Sequence, residues 1–320
     1  MLPHPQLWPA WIGAILGFAL IAWLTWRLLR NWDGMAVRRR WIVLGALALF
    51  EAAYWVNVYA WLVEPNLLVV RRVEVVSEHW RGPPITIAAL GDIHVGGPHV
   101  DVARVQRIVR RVNALKPDFV VLLGDYVDGH APRHERSNRE QREIAGAMAS
   151  FAALDAPMGV AGVIGNHDFW YDRNAVVEAL EGAGVVVLSN RHAVLRARGG
   201  DLVVAGLDDD MTGHPDLAAA LDGAPAEANT IVISHSPDPL AEMSADFALM
   251  LAAHTHCGQV TIPFVGRPFL PLRHRRYACG RVDEGGKILF VTGGIGTSRI
   301  PARFLNPPEI VLITLRGEGG

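Results

Sequence analysis

The chain has 320 residues, with 30 Lys and Arg against 32 Asp and Glu, and a formal net charge of −2. That balance excludes a global basic field for nucleic acid, and its 2 cysteines exclude a disulfide-built scaffold or a four-cysteine zinc site. Apolar residues make up 51% of the chain, and the excess is concentrated at the N-terminus.

Trp8 to Leu29 (WPAWIGAILGFALIAWLTWRLL) and Trp41 to Val63 (WIVLGALALFEAAYWVNVYAWLV) are apolar throughout. Each is long enough to cross a bilayer, which takes ~20 residues. Tryptophans cluster near their ends, as at a membrane interface. A cleaved signal peptide plus one buried helix is the competing reading, but both runs exceed the ~7–15 apolar residues of a signal core. Residues 1–63 thus read as a membrane anchor. Arg27, Arg30, Arg38, Arg39 and Arg40 mark the intervening loop, while the first seven residues carry no Lys or Arg. The positive-inside bias puts this loop in the cytoplasm and everything after Val63 outside it. Glu51 falls mid-span, where a carboxylate is costly unless it is partnered.

Residues 64–84 read as a connector that holds one strand (LLVVRRVEVV) and ends in the breaker RGPP. A globular region follows from Ile85 to the C-terminus. Asp101 to Leu115 predicts a helix capped by Asp101 and buried along Val102, Val105, Val109 and Val112. Ile144 to Leu154 and Ala175 to Leu180 also read as helical. The polar stretch His130 to Glu143 reads as an exposed loop and helix start. Later runs (VVVLS, AVLRA, DLVVAGL, KILFVT, EIVLITL) read as strands. Strands alternating with helices argue an α/β domain in layers, with mixed sheets between helices.

Five strand-like runs end alike. ITIAAL runs into GDIH, FVVLL into GDYVD, VAGVI into GNHD, TIVI into SHSPD, and ALMLA into AHTH. Ligands of open α/β sheets bind beyond the carboxyl ends of strands. Neighbouring tips would therefore gather Asp92, His94, Asp125, Asn166, His235, His254 and His256 in one place. On an extended chain, side chains two apart share a face, so Asp92 would aim with His94, and His254 with His256. By the same logic Cys257 points away from them and is a poor ligand. Imidazole with carboxylate suits Zn, Mn or Fe rather than Ca. Seven donors exceed one four-coordinate ion but suit two ions sharing a carboxylate, spaced ~3.5–4 Å apart as in phosphoryl-transfer sites. One HTH or one GNHD would mean little in a chain with 13 histidines; five ordered tips mean more. GGIGTS lacks the lysine of a phosphate-binding loop, and HSPD lacks a nucleophile elbow.

These motifs resemble the calcineurin-like metallophosphoesterase superfamily, whose pattern is DxH, GDxxD, GNH[DE], a lone His and GHxH. GLDDD, HCGQVTIP, GGIGTS and NPPEIVLITL extend the likeness to its membrane-anchored bacterial branch, with YkuE-type enzymes and UDP-diacylglucosamine pyrophosphatases. The resemblance implies a layered α-β-β-α sandwich with two mixed sheets, here preceded by two transmembrane helices. It implies two divalent ions, Mn foremost, or Fe or Zn. Asp92, His94 and His256 would hold the first, Asn166, His235 and His254 the second, with Asp125 bridging. It further implies attack of a metal-bound hydroxide on phosphorus, with His167 as acid for the leaving group or donor to the phosphoryl oxygens. Asp128 or Asp168 would orient histidines, or only bond their own loops. Gly129 stands where many relatives carry arginine, leaving Arg299 or Arg303 to grip phosphate. Ala253 replaces the glycine before HxH.

The expected function is hydrolysis of a lipid-linked or membrane-derived phosphodiester or pyrophosphate, by an enzyme of the bacterial cytoplasmic membrane with its catalytic domain on the extracytoplasmic side. No nucleic acid and no obligate protein partner is expected. The alternatives are an anchored phosphomonoesterase or nucleotide hydrolase, and a catalytically silent metal-binding envelope protein.

Overall fold

The two apolar runs form long helices, α1 (Trp8–Arg30) and α2 (Val37–Val58), in the computed structural model, which describes residues 4–197 and 199–319. Both helices are long and apolar enough to cross a membrane, and protein covers almost nothing of them. They touch through Tyr54, whose hydroxyl donates to the Ala14 carbonyl at 2.7 Å. Its ring occupies the space that Gly17 leaves open, where a Cβ would lie 2.7 Å away. Beyond α2 a further turn reaches Glu64, whose buried carboxylate accepts the Leu305 and Asn306 N–H groups at 2.9 and 2.6 Å. The Arg303 backbone N–H donates to the Ala60 carbonyl at 2.8 Å. The end of the second apolar helix is thus bonded into the globular region.

Among the described residues, twelve strands form two six-stranded sheets. The first sheet contains β1 (Val69–Val76), β2 (Ile85–Leu90), β3 (Phe119–Leu122), β4 (Val160–Gly162), β5 (Val186–Val187) and β12 (Glu309–Arg316). Its order is β1-β12-β2-β3-β4-β5, parallel except between β12 and β2. The strand predicted within 64–84 is β1, which pairs in parallel with the C-terminal strand from Val69↔Glu309 to Val76↔Arg316. The second sheet contains β6 (Arg191–Ala197), β7 (Gly200–Gly206), β8 (Asn229–Ile233), β9 (Leu249–Ala252), β10 (Gly280–Glu284) and β11 (Lys287–Val291). Its order is β10-β11-β9-β8-β7-β6, with antiparallel pairs only at the two edges.

Strand alternation sorts the core into three slabs. In β2, Ile87 and Ala89 face the second sheet, in one cluster with Val204, Ile231 and Leu251. The alternate residues Ala88 and Leu90 face the helices on the outer side. There they meet α3 (Val102–Leu115), α4 (Asn138–Ala149) and α5 (Asn166–Gly182). The outer face of the second sheet is covered more thinly, by α6 (Leu217–Leu221) and by loops that bring in Tyr277 and Phe247. The layers run α-β-β-α, as the resemblance implies.

Two helices differ from expectation. The helix expected from Ile144 begins at Asn138, because Ser137 and Glu140 form a reciprocal capping box inside the polar stretch. The helix expected from Ala175 begins at Asn166 and is broken at Asp172, where the backbone is extended. Asn166 and His167 therefore occupy a helical first turn rather than an extended tip.

Candidate metal centre

The parallel strands β2, β3 and β4 end side by side, in register through Leu90↔Leu122↔Gly162. In the second sheet β8 and β9 end together through Ile233↔Leu251. The loops that follow are bonded to one another across the sheets. The Asp92 N–H donates to the Gly124 carbonyl at 3.0 Å, and the His254 N–H donates to Asp92 Oδ1 at 2.9 Å. His235 Nδ1 lies 2.8 Å from the Leu123 carbonyl.

Three of the five tips are not extended. Asp92, His94, Asp125, His254 and His256 have φ of 50, 52, 56, 68 and 49°. Left-handed backbone at a non-glycine residue costs about 1–3 kcal/mol and persists where the surroundings over-determine it. At these three tips the side chains converge because the chain turns sharply, not because a strand continues. Glycine makes the close approaches possible: a Cβ on Gly165 would lie 2.2 Å from Asp125 Oδ1. Ala253 is accommodated by its neighbour, since a Cβ on Gly91 would lie 2.5 Å from the Ala253 methyl. The glycine and the methyl-bearing residue divide one space between two strand ends.

Three groups of buried donors could hold metal: Asp92, His94 and His256; Asp125, His235 and His254; and His94, Asp125 and His167. Asp125 joins them. Its Oδ1 accepts the His167 backbone N–H at 2.9 Å. Its Oδ2 lies 3.7 Å from His94 Nε2, 3.3 Å from His235 Nε2 and 4.0 Å from His167 Nε2. Asn166 Oδ1 is 3.2 Å from His235 Nε2. All seven expected ligands meet in this one place.

The donor set fits divalent cations on its own chemistry. His235 uses Nδ1 on the Leu123 carbonyl, and His254 uses Nε2 on the Pro271 carbonyl at 3.2 Å. A nitrogen that bonds a carbonyl carries the proton, so the other nitrogen of each neutral ring offers a lone pair. Those two, His235 Nε2 and His254 Nδ1, face each other at 3.0 Å. Opposed lone pairs need a cation near them, either a metal ion or a proton. Among the described residues Asp92 Oδ2 is buried with no hydrogen-bond partner, which is costly unless a cation takes it.

The proton affinities follow from the same packing. Burial lowers His235, but the Asp125 carboxylate overrides it and holds the imidazole up at about 10. Burial lowers His254 to about 3, with protonated His235 adding to the effect. Burial raises Asp92 to about 6. Metal binding must therefore displace the His235 proton below about pH 10, and the Asp92 proton as well below about pH 6. Apparent affinity should rise with pH by up to about tenfold per unit through neutrality and level off above the His235 value. Calorimetric titration at about pH 8 in two buffers of different ionisation enthalpy should detect net proton release on metal binding. Equal heats in the two buffers would contradict this.

The supporting residues fall into separate places. Asp128 Oδ1 lies 3.4 Å from His94 Nδ1. Asp168 accepts four backbone N–H groups, from Asp125, Tyr126, Val127 and Gly165. Arg303 is fully buried, and its guanidinium is spent on the carbonyls of Gly293, Gly296 and Asn306, 3.3 Å from His256 Nδ1. It braces the loop behind the centre and is not placed to grip phosphate. Arg299 instead lines the open groove, which has a volume of about 450 Å³ and includes Asp125, Asn166, His167, His254 and His256 in its floor.

His167 Nδ1 lies 2.9 Å from the Gly129 carbonyl, which turns Nε2 toward the centre. Burial lowers its pKa to about 4. His130 stacks on His167, with centroids 4.9 Å apart, and also lines the groove. Sequence reasoning missed His130 because it opens a polar run that reads as solvated. Cys257 and Cys279 form a disulfide with Cα atoms 4.7 Å apart, which tethers the residue after His256 to the start of β10.

Residues 85–258 match the calcineurin-like phosphoesterase family. The chain belongs to that family, whose members hydrolyse phosphoric esters at a dinuclear divalent metal site. It is 31% identical to the metallophosphoesterase YkuE of Bacillus subtilis over 72% of this chain and 78% of that protein. It is 28% identical to the phosphodiesterase YaeI of Escherichia coli, covering 72% and 82% of the two chains. A transmembrane protein with a metallophosphoesterase domain from Danio rerio is 31% identical over 76% of this chain, which spans 55% of that longer protein.

Proposed function

We propose that the protein is a membrane-anchored, dinuclear metal-dependent phosphodiesterase or pyrophosphatase. In this reading residues 1–63 are the anchor and the catalytic domain, expected from Ile85, also takes in the connector, whose strand β1 completes the first sheet. Asp92, His94 and His256 hold one ion, and Asn166, His235 and His254 the other. The observation that carries it is Asp125 Oδ2, which lies within 4.0 Å of histidines from both groups. Bound divalent ions supply a nucleophile from water near neutral pH and positive charge for the phosphoryl oxygens.

The chain's own residues supply the rest. His167 is anchored at Nδ1 by the Gly129 carbonyl, so Nε2 can present a proton to a phosphoryl or leaving-group oxygen. A bound phosphoester anion raises the proton affinity of that nitrogen, opposing the effect of burial. His130 and Trp170 pack on the ring and limit its rotation. The groove favours a diester over a monoester. Among the described residues Arg299 is its one arginine or lysine, while Trp170, Met211, Phe269, Leu270 and Ile300 line the remainder. Beyond the ions, one side-chain cation and an apolar wall suit a phosphoester that carries an apolar substituent.

The disulfide supports an extracytoplasmic domain, since such bonds persist in oxidising compartments, and the arginines at positions 27–40 support the same topology. The relatives named phosphodiesterase and transmembrane protein agree with the reading.

The test compares an aryl phosphodiester with an aryl monoester, with and without added Mn(II). Faster metal-dependent turnover of the diester is expected; a preference for the monoester would overturn the choice between them. His167→Ala should keep its metal and lose on the order of a hundredfold in kcat. Loss of metal instead would make His167 a ligand.

A further inference from the structure

Past the centre, the chain exposes large apolar side chains that packing within the described residues does not explain. Val260 and Phe304 form a parallel bridge, and a tight hairpin closes between Ile262 and Gly266. Its tip carries Phe264, fully exposed, and Val265, 72% exposed. Phe269 and Leu305 are 64% and 54% exposed, and Ile262 and Ile300 are also open to solvent. Single exposed apolar residues are ordinary, but a contiguous set marks an interaction surface.

We propose that this ridge, Ile262, Phe264, Val265, Phe269, Ile300 and Leu305, inserts into the lipid surface beside the second apolar helix and seats the mouth of the groove on the membrane. Continuity with that helix singles out a lipid occupant. The bridge that supports the hairpin is bonded to the end of the helix: the Phe304 ring meets Tyr59 with centroids 6.4 Å apart. The Arg303 backbone N–H donates to Ala60, and the Leu305 and Asn306 N–H groups donate to Glu64. If the helix spans a bilayer, the ridge is held close to its surface.

Charge agrees with a lipid occupant. Residues 260–273 (VTIPFVGRPFLPLR) and 298–306 (SRIPARFLN) contain no Asp or Glu. Exposed Arg299 adjoins Ile300, as basic side chains adjoin apolar ones in segments that lie on membranes, whereas Arg273 is paired with Asp210 and Arg303 is buried. Phe269 and Ile300 belong both to the ridge and to the groove wall. A phosphoester in the headgroup layer would then enter the groove without leaving the membrane. The proposal rests on the reading of residues 1–63 as a membrane anchor and does not depend on which phosphoester is cleaved.

The test uses the full chain in phosphatidylethanolamine and phosphatidylglycerol nanodiscs, with a nitroxide on Phe264→Cys. Both native cysteines are in the disulfide, so the introduced thiol is the reactive one. The label should collide more often with oxygen than with a water-soluble nickel chelate. A control label at Val194→Cys, exposed on edge strand β6, should show the reverse. Val265→Cys repeats the test if the Phe264 variant does not fold. A label as open to nickel as the control would overturn the proposal. So would one shielded from both reagents, which would indicate a protein partner. Metal content and soluble-diester turnover of the labelled protein should be unchanged; that readout bears on the proposed function alone.

Discussion

Asp125→Asn should lower phosphodiester turnover by on the order of a thousandfold or more and leave the protein short of metal. The reason lies in how the two oxygens are used. Oδ1 is committed to the His167 N–H at 2.9 Å. An amide that keeps that bond turns its NH₂ toward His94 and His235, whose Nε2 atoms lie 3.7 and 3.3 Å from the present Oδ2. A donor then stands where a lone pair is needed. The lost charge matters as much. A unit charge at about 3.3 Å is worth on the order of 5 kcal/mol at an effective dielectric of about 20, and a thousandfold in rate needs about 4 kcal/mol. His235 should also lose most of its elevated proton affinity, because the Asp125 carboxylate is what overrides burial there. Metal analysis and steady-state rates on the same sample check both consequences.

Asp168→Asn should cost about 4 kcal/mol of folding stability, since each buried donor left without an acceptor costs about 1–3 kcal/mol. Asp168 Oδ2 accepts from the Asp125 and Gly165 N–H groups at 2.8 and 3.0 Å, and Oδ1 from Tyr126 and Val127 at 2.8 and 3.1 Å. Replacing either oxygen by NH₂ strands two donors and points two more at them. The carboxylate clamps the loop that turns at Asp125 against the first turn of α5, so metal affinity should fall together with stability. Denaturant unfolding of the metal-free protein isolates the structural part. A change below about 1 kcal/mol would show that the four bonds are replaceable.

The contrast between these residues shows what could be read from the chain. Asp125 stood out because its strand end matched four others in type and order. The layered fold followed from the same alternation of apolar runs. Asp168 sits beside Asn166 and His167, yet its partners are mainly backbone N–H groups on another loop, and no residue type announces those. The side-chain directions at the tips are not legible in the sequence, because the positive φ at Asp92, His94 and Asp125 is uncommon at any non-glycine residue, even at the Asp and His types enriched in it. The fit of Ala253 depends on Gly91 across the two sheets, a relation between residues far apart in sequence. Arg303 and Arg299 looked interchangeable as phosphate-gripping cations; burial separates them, one braced by carbonyls and the other in the groove. The helix that starts after Ser137 was legible in principle, since Ser137 and Glu140 have capping-box spacing. The polarity of the surrounding run concealed it.

Whether two ions share Asp125 is tested most directly by metal quantification together with anomalous diffraction on the fully loaded protein. Two divalent ions per chain are expected, ~3.5–4 Å apart, with Asp125 Oδ2 between them. Diester hydrolysis should vanish on chelation and return with metal. A single ion at full activity, or two ions with Asp125 bound to neither, would contradict it.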